Sequence, residues 1–172
     1  MESGMWNQRS LKSVMGHTVA LCIGISVGCA GDLEEGAREG KRAPDFQVAT
    51  LDGTRFALGD SVGRPTLLVF WASWCGPCRR EADDIRAIVG SYGDRLRVLS
   101  INSGEDPTKV RLTATEWGLT WPVGLDPKAR VSHLFEVDAL PLVLVIDASG
   151  RVRFRGNGLP SDSHRLLDGL AE

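Results

Sequence analysis

The chain has 172 residues, of which 42% are hydrophobic and 24% are charged. This composition is typical of one soluble globular domain and excludes fibrous and disordered proteins. The formal net charge is −2, and no run of Lys or Arg exceeds two residues, so no nucleic-acid partner is indicated. The four cysteines would allow two structural disulfides, but their positions favour other roles.

The first 28 residues have the composition of a targeting segment. A polar stretch that contains Arg9 precedes a mostly apolar run over residues 14–28. That run is shorter than the roughly 20 residues that span a bilayer, so we predict a signal peptide over residues 1–28. It ends in Ser-Val-Gly-Cys, which resembles the lipobox of bacterial lipoproteins, and we therefore predict that Cys29 is lipidated and anchors the chain to a membrane. The alternative is an ordinary cleaved leader or a short uncleaved anchor.

The remaining chain is predicted to form a tether and one domain. Residues 29–42 are rich in charge and poor in apolar side chains, so we expect a flexible tether there. The domain would cover residues 43–172. It is predicted to begin with a hairpin, because residues 46–49 and 54–58 alternate apolar with polar around an Asp-Gly turn.

A strand, a helix and a second strand are predicted next. Residues 66–71 are apolar without alternation, which indicates a strand buried on both faces. Apolar residues then recur at helical spacing until Gly90, and a second apolar strand covers residues 96–101. Such a unit implies parallel strands joined by a right-handed crossover.

The second half of the domain is predicted to contain three helices and a hairpin. An Asp-Pro pair at 106–107 predicts a helix that ends at Gly118, and another pair at 126–127 predicts a second helix. A short extended segment, 121–123, lies between them. Further along, strands over 142–146 and 151–155 and a closing helix over 161–170 complete the domain. The apolar side of the second helix is formed by Val131, Leu134 and Phe135.

Cys75 and Cys78 form a Trp-Cys-Gly-Pro-Cys motif between the first buried strand and its helix. This order of elements and this motif resemble the thioredoxin fold, an α/β fold with a central mixed sheet flanked by helices, here with an N-terminal β-hairpin and an inserted strand-helix segment. Within it, the chain most resembles membrane-anchored thiol-disulfide oxidoreductases of the TlpA/ResA/CcmG type. The segments that carry the resemblance are 43–46, 70–81, 121–123 and 140–147.

The motif suits thiol-disulfide exchange, in which one thiolate attacks a disulfide and a second thiol resolves the mixed disulfide. A cysteine at a helix N-terminus has a lowered pKa, so Cys75 is predicted to attack. Cys78, one turn further, is predicted to be less exposed and to resolve. Trp74 would offer a flat apolar docking surface, and Gly76 and Pro77 would contact substrate beside it.

The resemblance implies roles for three further residues. Thioredoxins proper have a buried aspartate where this chain has Val69, but proteins of the TlpA/ResA type use a glutamate three residues after the second cysteine as proton acceptor, here Glu81. Desolvation is expected to raise its pKa. The alternative is an ordinary first-turn glutamate that stabilises the helix dipole. The resemblance also implies a cis bond before Pro141, with the Leu140 backbone free to bind extended substrate.

These observations predict an extracytoplasmic reductant that requires no cofactor and no metal. The Gly-Pro dipeptide matches thioredoxin, whose potential is about −270 mV. The resemblance implies a protein disulfide as substrate, such as that of apocytochrome c, and a membrane electron donor of the DsbD/CcdA type. Two alternatives stay open: a copper-binding or copper-delivery module that uses the cysteine pair, with His133 as a further ligand, and a thiol peroxidase.

Overall fold

The computed structural model describes residues 34–171, so the predicted leader and Cys29 lie outside the described residues. Seven strands are present in the described part. They are β1 (Gln47–Ala49), β2 (Arg55–Ala57), β3 (Thr66–Trp71), β4 (Arg97–Ser103), β5 (Val123–Asp126), β6 (Leu142–Ile146) and β7 (Val152–Gly156). Strands β1 and β2 form the predicted hairpin. The other five form one sheet in the order β5-β4-β3-β6-β7.

The central sheet is mixed, and β3 lies in its middle. Strand β3 runs parallel to β4 and antiparallel to β6, while β4 pairs parallel with β5 and β6 pairs antiparallel with β7. All six residues of β3 are buried, as expected of an apolar strand covered on both faces. The thioredoxin-like fold predicted from the order of elements is therefore confirmed.

Four helices cover the sheet in the described part: α1 (Gly76–Tyr92), α2 (Pro107–Glu116), α3 (Arg130–Leu134) and α4 (Ser163–Asp168). Side chains of β3 alternate between two apolar layers, because successive residues of a strand point to opposite faces. Leu67 and Val69 pack with α1 and α4, whereas Leu68 and Phe70 pack with the hairpin and α3. A third cluster joins α2 to the two cysteines and Trp71 at one end of the sheet.

Residues 34–42 differ from the flexible tether that we predicted. Ala37 is 1% exposed and belongs to the apolar core. Arg42 forms a bridge with Arg151, and the Ala43 N–H donates to the Gly150 carbonyl at 2.9 Å. The folded part therefore begins before residue 43, because main-chain hydrogen bonds to the β6–β7 turn hold a segment whose composition is polar.

The helices have other bounds than predicted: α2 ends at Glu116 instead of Gly118, and α4 covers Ser163–Asp168 instead of 161–170. Helix α1 continues past Gly90 to Tyr92, a buried residue whose hydroxyl donates to Asp168 at 2.8 Å. Helix α3 begins only at Arg130, because Asp126 remains in β5 and accepts the Arg130 N–H. Leu134, predicted on the apolar side of α3, is 43% exposed.

Candidate active site

The two cysteines lie where β3 gives way to α1. Cys75 is the N-cap residue of α1, and the Cys78 N–H donates to the Cys75 Sγ at 3.2 Å. The sulfurs are joined in a disulfide, with the Cα atoms 5.3 Å apart. Gly76 and Pro77 form the first turn, where the missing N–H of proline costs no intrahelical hydrogen bond. The helix N-terminus thus faces the sulfur predicted to attack, which favours its thiolate.

Exposure at the motif differs in part from the prediction. Cys75 and Cys78 are both 3% exposed, so in this disulfide form Cys78 is not the more buried of the two. Trp74, by contrast, is 71% exposed, which fits the predicted docking surface. Trp71 and Trp117 are buried against each other, with ring centroids 5.1 Å apart. The accessible part of the motif therefore consists of Trp74, Gly76 and Pro77, while both cysteines are buried.

The bond between Leu140 and Pro141 is cis, as the resemblance implied. Leu140 packs against the apolar cluster that contains both cysteines, so this loop lies at the same end of the sheet as the motif. Among the described residues, neither the N–H nor the carbonyl of Leu140 has a backbone partner. The Pro141 carbonyl accepts a hydrogen bond from the Asn157 side-chain amide at 3.2 Å. The main chain of Leu140 is thus available to an extended peptide.

Glu81 is half-buried on α1, and its carboxylate accepts a hydrogen bond from the Leu159 N–H. Desolvation raises the pKa of Glu81, although the bond from Leu159 partly opposes it, and the charge of Asp84 adds to the increase. Glu81 and Cys78 line the same small cavity, together with Val69. A carboxyl group whose pKa lies above its ordinary value is therefore placed beside the second cysteine.

A buried carboxylate that we did not predict holds the loop before Cys75. Glu105 follows β4, and its side chain accepts hydrogen bonds from both the N–H and the hydroxyl of Ser73, at 2.7 and 2.6 Å. One sequence signal could have indicated it: residues that follow adjacent parallel strands meet at the same edge of a sheet. Strands β3 and β4 are such a pair.

His133, the further ligand of the copper alternative, belongs to no metal-binding cluster within the described residues. Among residues 34–171, no group of three or more His, Cys, Asp or Glu side chains is arranged to hold a metal ion. His133 is exposed on α3, and His164 stacks on Tyr92. In the same part of the chain, no helix has both the length and the hydropathy needed to cross a membrane.

Comparison with known proteins places this site in a family. A profile of the AhpC/TSA family matches residues 40–155. The chain belongs to the AhpC/TSA family. Thioredoxin-like protein YneN from Bacillus subtilis is 37% identical over 123 residues, 70% of this chain and 72% of YneN. Thiol-disulfide oxidoreductase ResA from Geobacillus kaustophilus is 32% identical over 134 residues, 76% of this chain and 77% of ResA.

This AhpC/TSA chain is similar in structure to solved structures of redox proteins. A crystal structure described as thiol:disulfide interchange protein DsbE from Chlorobium tepidum superposes with a TM-score of 0.69 at 28% identity, covering 76% of this chain and 94% of that one. A protein described as a disulfide isomerase from Bacteroides thetaiotaomicron gives 0.71 at 29% identity, covering 78% and 91%. The resemblance to the TlpA/ResA/CcmG type is confirmed, and this AhpC/TSA protein is a thiol-disulfide oxidoreductase.

Proposed function

We propose that this protein reduces disulfides of extracytoplasmic proteins with the Cys75/Cys78 dithiol. The observation that carries the proposal is the position of Cys75 as the N-cap of α1, with the Cys78 N–H directed at its sulfur. In the reduced protein the same N–H and the helix dipole stabilise a thiolate at Cys75. A thiolate at neutral pH is the nucleophile that thiol-disulfide exchange requires.

The reaction proceeds by two exchanges. The Cys75 thiolate attacks one sulfur of the substrate disulfide, a mixed disulfide forms, and the first substrate sulfur leaves as a thiolate that takes up a proton. Cys78, once deprotonated, attacks the Cys75 sulfur, and the second substrate sulfur leaves in turn. The substrate gains two electrons and two protons, and the protein is left with the Cys75–Cys78 disulfide.

Glu81 is proposed as the proton acceptor for Cys78. Support comes from the cavity that both residues line and from the raised pKa of the carboxyl group. A base is most effective when its pKa lies near the working pH, so desolvation moves Glu81 in the useful direction. The proton taken from Cys78 is then passed to the departing substrate thiolate.

The docking surface is proposed to combine an indole with a free main chain. Trp74 offers the exposed apolar surface next to Cys75. Gly76 and Pro77 border the sulfur. Leu140, whose N–H and carbonyl have no backbone partner within residues 34–171, offers both groups to an extended substrate strand beside Pro141. Main-chain hydrogen bonds of this kind accept many sequences, which suits a protein that reduces disulfides in different partners.

Location, partners and anchoring form the finer part of the proposal. The predicted leader over residues 1–28 supports an extracytoplasmic site, in the periplasm or at the outer face of the cell membrane. We propose a lipid anchor at Cys29, a membrane electron donor of the DsbD/CcdA type, and apocytochrome c among the substrates. Mass spectrometry of the membrane fraction tests the anchor: acylated Cys29 is expected, and an unmodified cysteine would contradict it.

A redox titration and an insulin-reduction assay test the activity together. We expect the pre-reduced protein to reduce insulin and its potential to lie near the −270 mV of thioredoxin. A potential near that of the strong oxidant DsbA, about −120 mV, would overturn the direction. Consumption of peroxide without added dithiol would support the peroxidase alternative instead, and copper retained by the protein purified in its reduced form would support the copper module.

A further inference from the structure

Glu105 lies outside the cysteine motif and is partly buried. Its side chain is 8% exposed. Besides the two bonds from Ser73, its carboxylate accepts bonds from the Asn102 amide at 2.8 Å and pairs with the Lys109 ammonium at 2.7 Å. Burial alone would raise the pKa of Glu105, but the hydrogen bonds from Asn102, Lys109 and Ser73 outweigh it and lower the pKa to about 2. The carboxylate is therefore charged and fully bonded at neutral pH.

The segment that Glu105 holds is the turn that presents the first cysteine. The Cys75 N–H donates to the Ala72 carbonyl at 3.1 Å, which closes a turn over residues 72–75. Ser73 is the second residue of this turn, and both its N–H and its hydroxyl bond to Glu105. Trp74 and Cys75 follow directly. No other side chain in the described part bonds to the N–H of Ser73. The carboxylate of Glu105 is therefore the one side-chain group in that part that holds the Ser73 backbone.

We propose that Glu105 is a positioning residue that holds the 72–75 turn and thereby keeps the Cys75 sulfur aligned with the N-terminus of α1. The inference rests on the proposed function, because alignment matters only if Cys75 reacts as a thiolate. The field of a helix N-terminus is strong only within its first turn. A turn that moves freely would let the sulfur leave that field for part of the time.

Loss of Glu105 changes the pKa of the Cys75 thiol in two opposite ways. Removing a negative charge near the motif would lower the thiol pKa by Coulomb's law, whereas loosening the turn would raise it. Glu105→Gln removes the charge but keeps a side-chain oxygen for the Ser73 N–H. Glu105→Ala removes both. The sign of the change in Glu105→Ala therefore distinguishes positioning from charge.

Asp126 provides a matched control at the end of the neighbouring strand, β5. It is buried, and its carboxylate accepts from the backbone N–H groups of Arg130 and Ser132 and from the Ser132 hydroxyl. None of these bonds goes to the 72–75 turn. Asp126→Ala should therefore cost comparable stability without changing the Cys75 thiol.

The parent for this experiment is the full chain that carries Cys78→Ser. Its Cys75 is alkylated by iodoacetamide from pH 5 to pH 10, and the rate is measured by mass spectrometry of the peptide that contains Cys75. Relative to this parent, we expect Glu105→Ala to raise the thiol pKa and to slow alkylation at neutral pH about threefold. Glu105→Gln, which removes the charge but keeps the oxygen, should not raise the thiol pKa, and Asp126→Ala should stay close to the parent. If Glu105→Ala fails to fold, Ser73→Ala, which removes only the hydroxyl bond, should shift the pKa in the same direction by less.

Two results would overturn the inference: a Glu105→Ala profile that coincides with that of Asp126→Ala, or faster alkylation in Glu105→Ala, which would assign the effect to charge. Where Ser73→Ala stands in, an unchanged or lowered pKa has the same meaning. Failure of the proposed function looks different, since the wild-type chain would then not reduce insulin. If the wild type reduces insulin but Glu105→Ala does not raise the pKa of the Cys75 thiol, the inference fails while the proposed function stands.

Discussion

The carboxylate of Glu81 accepts a hydrogen bond from the backbone N–H of Leu159, which lies 78 positions further along the chain. This contact joins α1 to the segment between β7 and α4. It also opposes the desolvation that raises the pKa of Glu81. The pKa of Glu81, the residue proposed to take the Cys78 proton, is thus lowered in part by a backbone N–H and not by an ionisable side chain of Leu159.

Glu81→Gln should slow resolution of the mixed disulfide and remove its acidic pH dependence. As a base, Glu81 works only when ionised, so the wild-type rate should fall as the pH drops through its raised pKa. Loss of a general base slows a step by about 10² to 10⁴. Rapid-quench measurement of resolution from pH 4 to pH 9 tests this, with the exposed Glu116→Gln as control. An unchanged pH profile would reduce Glu81 to a helix-stabilising glutamate.

Gly158→Ala should destabilise the protein and disturb Glu81. Gly158 has a φ of 132°, which alanine rarely adopts, and a Cβ added there would lie 3.3 Å from a carboxylate oxygen of Glu81. We expect a loss of about 1–3 kcal/mol in the free energy of unfolding, measured in urea. Gly90→Ala is the matched control: its Cβ meets no atom within 4 Å on the exposed side of α1, so it should stabilise by about 0.5–1 kcal/mol.

Glu105 should make stability depend on pH in the acid range. Its pKa is about 2 in the folded protein, below the ordinary 4.5. A lowered pKa contributes stability that is complete above the unfolded value and is lost as the pH falls through the folded value, here from about 4.5 to about 2. In urea unfolding, the free energy of unfolding of Glu105→Gln should fall by about 1–3 kcal/mol less than that of the wild type over this pH range. Parallel stability curves for both proteins between pH 6 and pH 2.5 would argue against an ionised, bonded carboxylate.

Trp74→Ala should weaken reduction of protein disulfides more than reduction of small ones. The indole is 71% exposed beside Cys75, so its loss removes docking area without opening a cavity. We expect about a fivefold to tenfold lower kcat/KM for insulin and little change for oxidised glutathione. Leu112→Ala, at a residue that is 68% exposed on α2, should change neither rate. Equal losses for both substrates would place Trp74 in the chemical step instead of docking.

Much of the fold was predictable because its signals are local. The apolar run over residues 66–71 matches β3 as observed, and the Asp-Gly turn matches the β1–β2 hairpin. Residues 34–42 were not predictable, since their order comes from main-chain bonds to the distant β6–β7 turn. Gly90 marked a false helix end for a similar reason: buried Tyr92 extends α1 through its hydrogen bond to α4.

The site divides in the same way. Cys75 and Cys78 can be identified from the sequence because thiol-disulfide exchange requires two cysteines close together. A spacing of one helical turn at the start of a helix provides this. Glu105 reaches Ser73 across 32 positions, and only the pairing of β3 with β4 brings them together. Leu159 contributes a backbone N–H, a group that every residue except proline carries, so its identity gives no signal.

The most direct test of the account asks which sulfur forms the mixed disulfide. Reduced Cys78→Ser and Cys75→Ser chains are each exposed to insulin, and the covalent adduct is located by mass spectrometry. The account predicts a stable adduct at Cys75 in Cys78→Ser, because the attacking thiolate is present and the resolving thiol is absent. It predicts no comparable adduct in Cys75→Ser. An adduct that forms at Cys78 with equal speed, or in neither variant, would contradict the assignment of Cys75 as the nucleophile of a disulfide reductase.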